Sequence, residues 1–285
     1  MTEAATAFVP GHVTGFFTVD PDDDPTKAGS RGAGLALSKG VTVTVRPAAD
    51  PSTRLNGESV DVEAVDHVLG ALEASAAVRA ETGLPVGSGF GVSGAMALGA
   101  ALAANAVFER GLSTYELAAV AHGAEVRAGT GLGDVVAQLH GGVPVRLEPG
   151  GPQRNRMDAV PARSRVEFLT FGELSTADVI GGDTDAITRA GERALSELVR
   201  EPTLPALFEA SRTFSREADL LTDRVRSVVT DVIEAGGDAT MGMLGATVVA
   251  LDTGLSDAGY DPQVCAVDPA GATLLVPPGE ATISD

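Results

Sequence analysis

Residues 84–99 read LPVGSGFGVSGAMALG, a loop with glycines at 87, 89, 91 and 94 that runs straight into the apolar, alanine-rich segment Val92 to Arg110. Glycine reaches backbone conformations that other residues avoid and lets the chain approach other atoms closely. Alanine-rich sequence without proline propagates a helix. A glycine loop feeding a helix therefore presents several backbone N–H groups that have no partner inside the helix. Phosphate oxygens suit that arrangement. The competing reading, a tight turn that only permits close helix packing, rests on the same glycines.

Gly89, Gly91 and Gly94 also match G-x-G-x-x-G, the dinucleotide fingerprint. That fingerprint needs a strand before it, a helix after it and an acidic residue ending the next strand, roughly twenty residues on. Val65, Val68, Leu69 and Leu72 fall at spacings of three and four, so a helix is predicted over Val62 to Glu81. A helix, not a strand, would then precede the loop, and Glu109 would end a second helix. A Walker A loop is excluded because neither Lys27 nor Lys39 follows a suitable glycine run.

With 285 residues, 44% of them hydrophobic, the chain can bury a core of one large or two modest domains. It carries 39 Asp and Glu against 20 Lys and Arg, a net charge of −19, and only two lysines. A groove that tracks a phosphate backbone cannot be built from this inventory, so nucleic-acid partners are excluded. The acidity is that of a protein kept soluble by carboxylates in a salty interior. A single cysteine, Cys265, excludes a disulfide framework and a Cys-rich metal site. The N-terminus lacks the pattern of a signal peptide, and the longest apolar run, Ala95 to Val107, is too short for a bilayer. The expectation is a cytoplasmic protein with no membrane partner. Pairing into a homodimer is left open.

Ala7 to Arg46 reads as extended segments broken by glycine, and RLNGESV carries the Asn-Gly signal of a hairpin. Asp20 to Pro25 is a surface loop by composition. Ser113 with Glu116 forms a capping box that starts a helix running to Arg127. The turn GTGLG, the short helix DVVAQLHGG and the strand VPVRL follow. Pro149 to Arg165 reads as a linker or exposed crossover, which places a domain boundary between 1–155 and 156–285. Beyond it come the strand VEFLTF, helices over 182–200, 203–216 and 219–235, and the strands ATVVAL and ATLLVP. The fold class is α+β.

Pro85, Gly89, Phe90, Gly91, Val92, Ser93, Gly94 and Ala95 fill the pattern P-x-x-x-G-L-G-S-S-A, with Phe for Leu, Val for the first Ser and Gly for an Ala. This resembles the phosphate loop of the GHMP kinase superfamily. Pro10 and Gly11 are similar to that family's N-terminal P-G-K motif, with His12 in the lysine position and no Gly-Glu-His after it. Met241 to Ala246 resembles the family's third, glycine-rich motif. The blocks VPGHVTGFF, GSRGAGLAL, HGAEVRAGTGLGDVVAQLHGG and FGELSTADVI, dispersed over most of the chain, resemble the archaeal pantoate kinases within that family.

The resemblance implies a two-domain fold, an N-terminal ribosomal-protein-S5-like α/β domain followed by a ferredoxin-like α+β domain. It implies ATP and Mg²⁺ as cofactors, and transfer of the γ-phosphoryl group to the 4-hydroxyl of (R)-pantoate in archaeal coenzyme A synthesis. Carried over residue by residue, Pro85, Gly87, Ser88, Gly89, Phe90, Gly91, Val92, Ser93 and Gly94 would cradle the nucleotide. Ser93 and Glu125 would hold Mg²⁺, and Asp134, nine residues after Glu125, would be the catalytic base. Read alone, Glu125 is equally a solvent-facing helix carboxylate and Asp134 an N-cap. His12, Ser30, Arg31, His122, Arg146, Ser175 and Thr176 are candidates for the acceptor's carboxylate, which lysine scarcity leaves to arginine, histidine, hydroxyls and N–H groups. His122 stands three residues before Glu125, on the same helical face, and is alternatively a buried helix histidine; Ser175 or Thr176 is alternatively a helix cap. Other readings stay open: a related kinase acting on homoserine or mevalonate, a silent member that binds ATP and regulates a partner, and an acidic interaction protein with no nucleotide site.

Overall fold

In the computed structural model, which describes residues 3–173 and 184–275, the extended segments near the N-terminus become two long strands. β1 (Ala5–Phe17) and β2 (Gly32–Pro47) pair antiparallel from Ala5 opposite Val45 to Phe17 opposite Gly32, with register shifts at Pro10/Gly11 and Thr14/Phe16. β3 (Ser52–Leu55) and β4 (Glu58–Ser59) form the Asn-Gly hairpin. Asn56 and Gly57 both take positive φ, as a two-residue turn of this kind needs.

The helix expected over Val62 to Glu81 is cut in two. α1 (Glu63–Ala71) ends before Glu73, which takes φ 47°, and Ala76–Thr82 is strand β5. The spacing of three and four stops at Leu72, whereas Ala76, Val78 and Ala80 recur every second residue and are buried against neighbours. β5 pairs antiparallel with β2 and parallel with β3.

α2 (Val92–Val107) lies on β1 and β2. It is buried on nearly all sides, and at Gly99 a Cβ would press into Val43. α3 (Thr114–Ala128), started by the Ser113–Glu116 capping box, packs on α1 and α2, and α4 (Asp134–His140) follows. β6 (Pro144–Arg146) pairs with β2, and β7 (Met157–Ala159) with β6. Pro149 to Arg165 is therefore not a free crossover. It contains β7, and the Gly151 N–H donates to the Thr26 carbonyl at 2.9 Å; the chain passes closely over Gly29, where a Cβ would stand 2.3 Å from the Gly150 nitrogen.

The second sheet has the order β11 (Gln263–Ala266), β8 (Arg165–Glu173), β10 (Gly245–Leu251), β9 (Ala239–Gly242), antiparallel throughout. α5 (Asp185–Arg200), α6 (Leu204–Glu217), α7 (Asp223–Glu234) and the short α8 (Gly254–Asp257) accompany it. Sheet membership does not follow chain order, since β7 and β12 (Thr273–Leu275) lie beyond residue 155 yet join the first sheet, β12 on β1. The architecture is α+β, as expected. No described helix is long and apolar enough to cross a membrane.

The two sheets meet around the glycine loop. Phe90 of the loop packs on Phe168 of β8 with ring centroids 4.7 Å apart. The Met243 N–H donates to the Thr14 carbonyl of β1 at 2.9 Å, and the Thr247 hydroxyl donates to the Ser88 carbonyl at 3.0 Å. A Cβ on Gly245 would run into that same Ser88 carbonyl. Gly245→Ala should therefore cost about 1–3 kcal/mol in urea unfolding, while Gly123→Ala inside α3, where a Cβ meets nothing within 4 Å, should be neutral or stabilising.

Candidate active site

The loop between β5 and α2 turns on glycines in left-handed conformation, Gly89 at φ 82° and Gly91 at φ 63°. Gly91 caps α2, and the helical ladder opens with the Ala95 N–H donating to the Gly91 carbonyl at 2.9 Å. The N–H groups of Val92, Ser93 and Gly94 thus lie ahead of the ladder, at the lip of a cleft of about 490 Å³. A strand does precede the loop, contrary to the sequence reading. The dinucleotide unit is still absent, because the chain leaves α2 for another helix and not for a parallel strand. Of the expected nucleotide residues, Gly87 and Gly89 to Gly94 line the cleft, with Phe90 itself buried. Pro85 and Ser88 do not line it; Ser88 is buried and gives its carbonyl to Thr247.

Glu125, in the last turn of α3, is 2% exposed and faces the same cleft. Its Oε1 accepts the Ser93 hydroxyl at 2.6 Å and the Thr130 hydroxyl at 2.9 Å. Burial pushes its pKa up to about 7, against the pull of those two hydroxyls. Gly131 is needed beside it, since a Cβ there would stand 2.7 Å from Oε2.

Asp134 opens α4, partly exposed, and its Oδ1 lies 2.7 Å from Nδ1 of His12, which is fully buried on β1. Burial holds His12 below the usual histidine range despite this partner, so at neutral pH a neutral ring donates its Nδ1–H to the carboxylate. His12 Nε2 has no partner and faces Gly34. For Asp134, burial works upward, but the His12 hydrogen bond and the Arg146 charge outweigh it and hold the carboxyl below its ordinary range. Gln138, one turn along α4, donates to the Gly91 carbonyl at 2.8 Å and so ties α4 to the glycine loop.

Arg146 on β6 is 2% exposed. Its Nε and Nη2 donate to the carbonyl and hydroxyl of Ser30, each at 3.3 Å, while Nη1 is buried without a partner. Burial draws its pKa down to about 10, which leaves it charged at neutral pH. Gly133 admits the guanidinium, as a Cβ would come within 2.7 Å of Nε. A narrow pocket of about 30 Å³ lies here, lined by Phe17, Leu132 and Leu244 together with Ser30, Asp134 and Arg146. Leu244 holds φ 62°, a conformation that costs a branched residue about 1–2 kcal/mol.

The sequence-predicted acceptor residues separate into two groups. His12, Ser30 and Arg146 converge on Asp134 and its pocket. Arg31 does not: it is ion-paired with Asp20 at 3.1 Å and Glu192 at 2.9 Å, bridging the two halves of the molecule. His122 also turns away, its Nε2 meeting the Ala28 carbonyl at 2.8 Å, which is the buried helix histidine of the alternative reading. Ser175 and Thr176 lie outside the described residues. Thr130, Gln138 and Leu244 are not among the expected site residues, although Leu244 lies within Met241 to Ala246, the segment that resembles the family's third motif. The place of Gln138 four residues after Asp134 was the available signal for one of them.

The family profile for the N-terminal domain of GHMP kinases matches residues 61–142. A pantoate kinase from Methanospirillum hungatei is 33% identical over 257 residues, 86% of each chain. One from Thermococcus kodakarensis is 35% identical over 265 residues, again 86% of each. A solved structure described as a phosphotransferase related to the CoA biosynthesis pathway superposes with a TM-score of 0.85 at 30% identity, covering 95% of this chain and 98% of its own.

The raised pKa of Glu125 carries a stability signature. Between pH 4.5 and about 7 the folded protein holds a proton that the unfolded chain has released, so stability falls as pH rises through this window. Without nucleotide or metal, Glu125→Gln should match the wild type near pH 4.5 and exceed it by about 3 kcal/mol above pH 7 in urea titrations.

Proposed function

The chain belongs to the pantoate kinase family of the GHMP kinases and is an ATP-dependent small-molecule kinase, and we propose that it phosphorylates the 4-hydroxyl of (R)-pantoate, giving 4-phosphopantoate for coenzyme A synthesis. The observation that carries the reading is the position of Asp134. It lines both the glycine-loop cleft and the pocket of Arg146, so a hydroxyl beside it is within reach of groups held on either side.

The residues present fit Mg-ATP. The N–H groups at the start of α2 suit the phosphate chain, and a Cβ at Gly91, 2.9 Å from Gln138, would crowd the loop that presents them. Ser93 and Glu125, with Thr130 beside them, offer the hard oxygen donors that Mg²⁺ takes, in the small number it needs when phosphates and water complete its shell. Bound Mg²⁺ would neutralise charge developing on the phosphate oxygens. Glu125, protonated up to about pH 7 by burial, would give up that proton to become a ligand.

Asp134 is kept ionised and oriented. The His12 Nδ1–H fixes Oδ1, which leaves Oδ2 to accept the hydrogen bond, and then the proton, of the attacking hydroxyl. A carboxylate of lowered pKa is a weak base, so its main contribution is to align the oxygen and stabilise positive charge as it develops there. Arg146 Nη1, buried and unpartnered, is the group that would meet the acceptor's carboxylate. His12 then serves as the positioner of Asp134, with no contact to the acceptor and no positive charge of its own.

Asp134→Asn should bind ATP within about threefold of wild type by calorimetry while turnover falls about 10²–10⁴-fold. Normal turnover would sink the assignment. Arg146→Gln should raise KM for pantoate about tenfold or more, with the ATP KM little changed; an unchanged pantoate KM would remove Arg146 from the acceptor site.

A further inference from the structure

We infer that Leu244 is the specificity-determining wall of the acceptor pocket, selecting a hydroxy acid with a branched apolar middle over an unbranched one; this rests on the acceptor reading above. Leu244 belongs to the two-residue turn between β9 and β10 and holds φ 62°, where glycine would sit without strain. The turn is fixed from both sides. The Met243 N–H is bonded to the Thr14 carbonyl, a Cβ on Gly89 would meet the Met243 carbonyl at 2.6 Å, and Gly245 is pressed against the Ser88 carbonyl. With the backbone so held, the side chain has a fixed place. Leu244 borders the phosphate cleft and the Arg146 pocket together. A strained position that keeps a bulky residue at such a junction points to use of the side chain itself.

The chemistry around Leu244 defines what it touches. The pocket is lined by Arg146, whose Nη1 is buried without a partner, by Ser30 and by Asp134. The same pocket is lined by Phe17, Leu132 and Leu244, with no charged group among the three. A ligand that fits carries a carboxylate, a hydroxyl at the far end, and bulky apolar substitution between. The pocket is narrow, about 30 Å³, and shares Thr14, Asp134 and Leu244 with the larger glycine-loop cleft. Phe17 and Leu132 arise from the first half of the chain, whereas Leu244 is brought in by the second sheet. Acceptor shape is thus read by a residue on the opposite side of the interface from Arg146.

The test compares wild type, Leu244→Gly, Leu244→Ala and Leu244→Met on (R)-pantoate and on (R)-2,4-dihydroxybutanoate, which keeps the carboxylate and both hydroxyls and lacks only the two methyl groups of the branch. For Leu244→Gly, kcat/KM on pantoate should fall about 10- to 100-fold while that on 2,4-dihydroxybutanoate stays within about threefold. Leu244→Ala should behave alike, and Leu244→Met should restore most of the preference. Glycine accepts φ 62° without strain, so loss of the fold does not confound the result. Equal losses on both acceptors, or an undiminished preference in Leu244→Gly, would overturn the inference and leave the acceptor reading standing. A wild-type enzyme that ignores pantoate would overturn that reading and the wall with it.

Discussion

The glycine loop is clamped between two backbones, and the rest of the site hangs on that clamp. On one side the His12 N–H donates to the Phe90 carbonyl at 3.0 Å; on the other the β9–β10 turn rests on Ser88 and Gly89 with no space for a Cβ at Gly245. Backbone contacts of this kind tolerate little drift, because no flexible side chain lies between the partners. They fix where the start of α2 points, and through Gln138 and Gly91 they fix α4 and hence Asp134. The same clamp places His12 beneath Asp134, so one strand both holds the loop and orients the carboxylate.

The ionisable groups of the site are held against their solvation. Glu125 and Arg146 are each 2% exposed, and His12 is fully buried. Burying such groups is unfavourable unless partners compensate, and here compensation is incomplete: Arg146 Nη1 and His12 Nε2 lack partners. That pattern, with shifted pKa values gathered along one cleft, is characteristic of functional rather than structural placement. The net charge of −19 makes the cationic end more telling. In a chain with few positive charges to spare, one arginine is withdrawn from the surface and kept in the pocket that Asp134 also lines.

Much of this was legible in the sequence because it was local. The Asn-Gly hairpin, the capping box at Ser113 and the glycine loop are each decided within a few residues, and the family motifs single out Ser93, Glu125 and Asp134, which line one cleft. The failures arose where distant partners decide. Ala76 to Thr82 is a strand because β2 and β3 flank it, and a helical spacing that stopped at Leu72 was extended too far. Arg31 in a glycine-rich stretch had the look of a ligand-binding cation, but Asp20 and Glu192 claim it, and Glu192 lies far along the chain. His122 had the right helical face, yet the Ala28 carbonyl took its ring. Leu244 lies within Met241 to Ala246, the segment that resembles the third family motif, but which residue of that segment borders the cleft depends on a φ angle and on the loop it touches.

The return of β12 to β1 bears on how the molecule is made. As a chain is synthesised from its N-terminus, β1 and β2 precede β12, so the edge of β1 from Thr6 to Phe8 waits for Thr273–Leu275. Throughout that interval the nascent first sheet carries a row of unpaired N–H and carbonyl groups, of the kind that recruits other strands. Completion of the oldest part of the fold is thus deferred to nearly the last residues described, so folding of the two halves is coupled in time as well as in space.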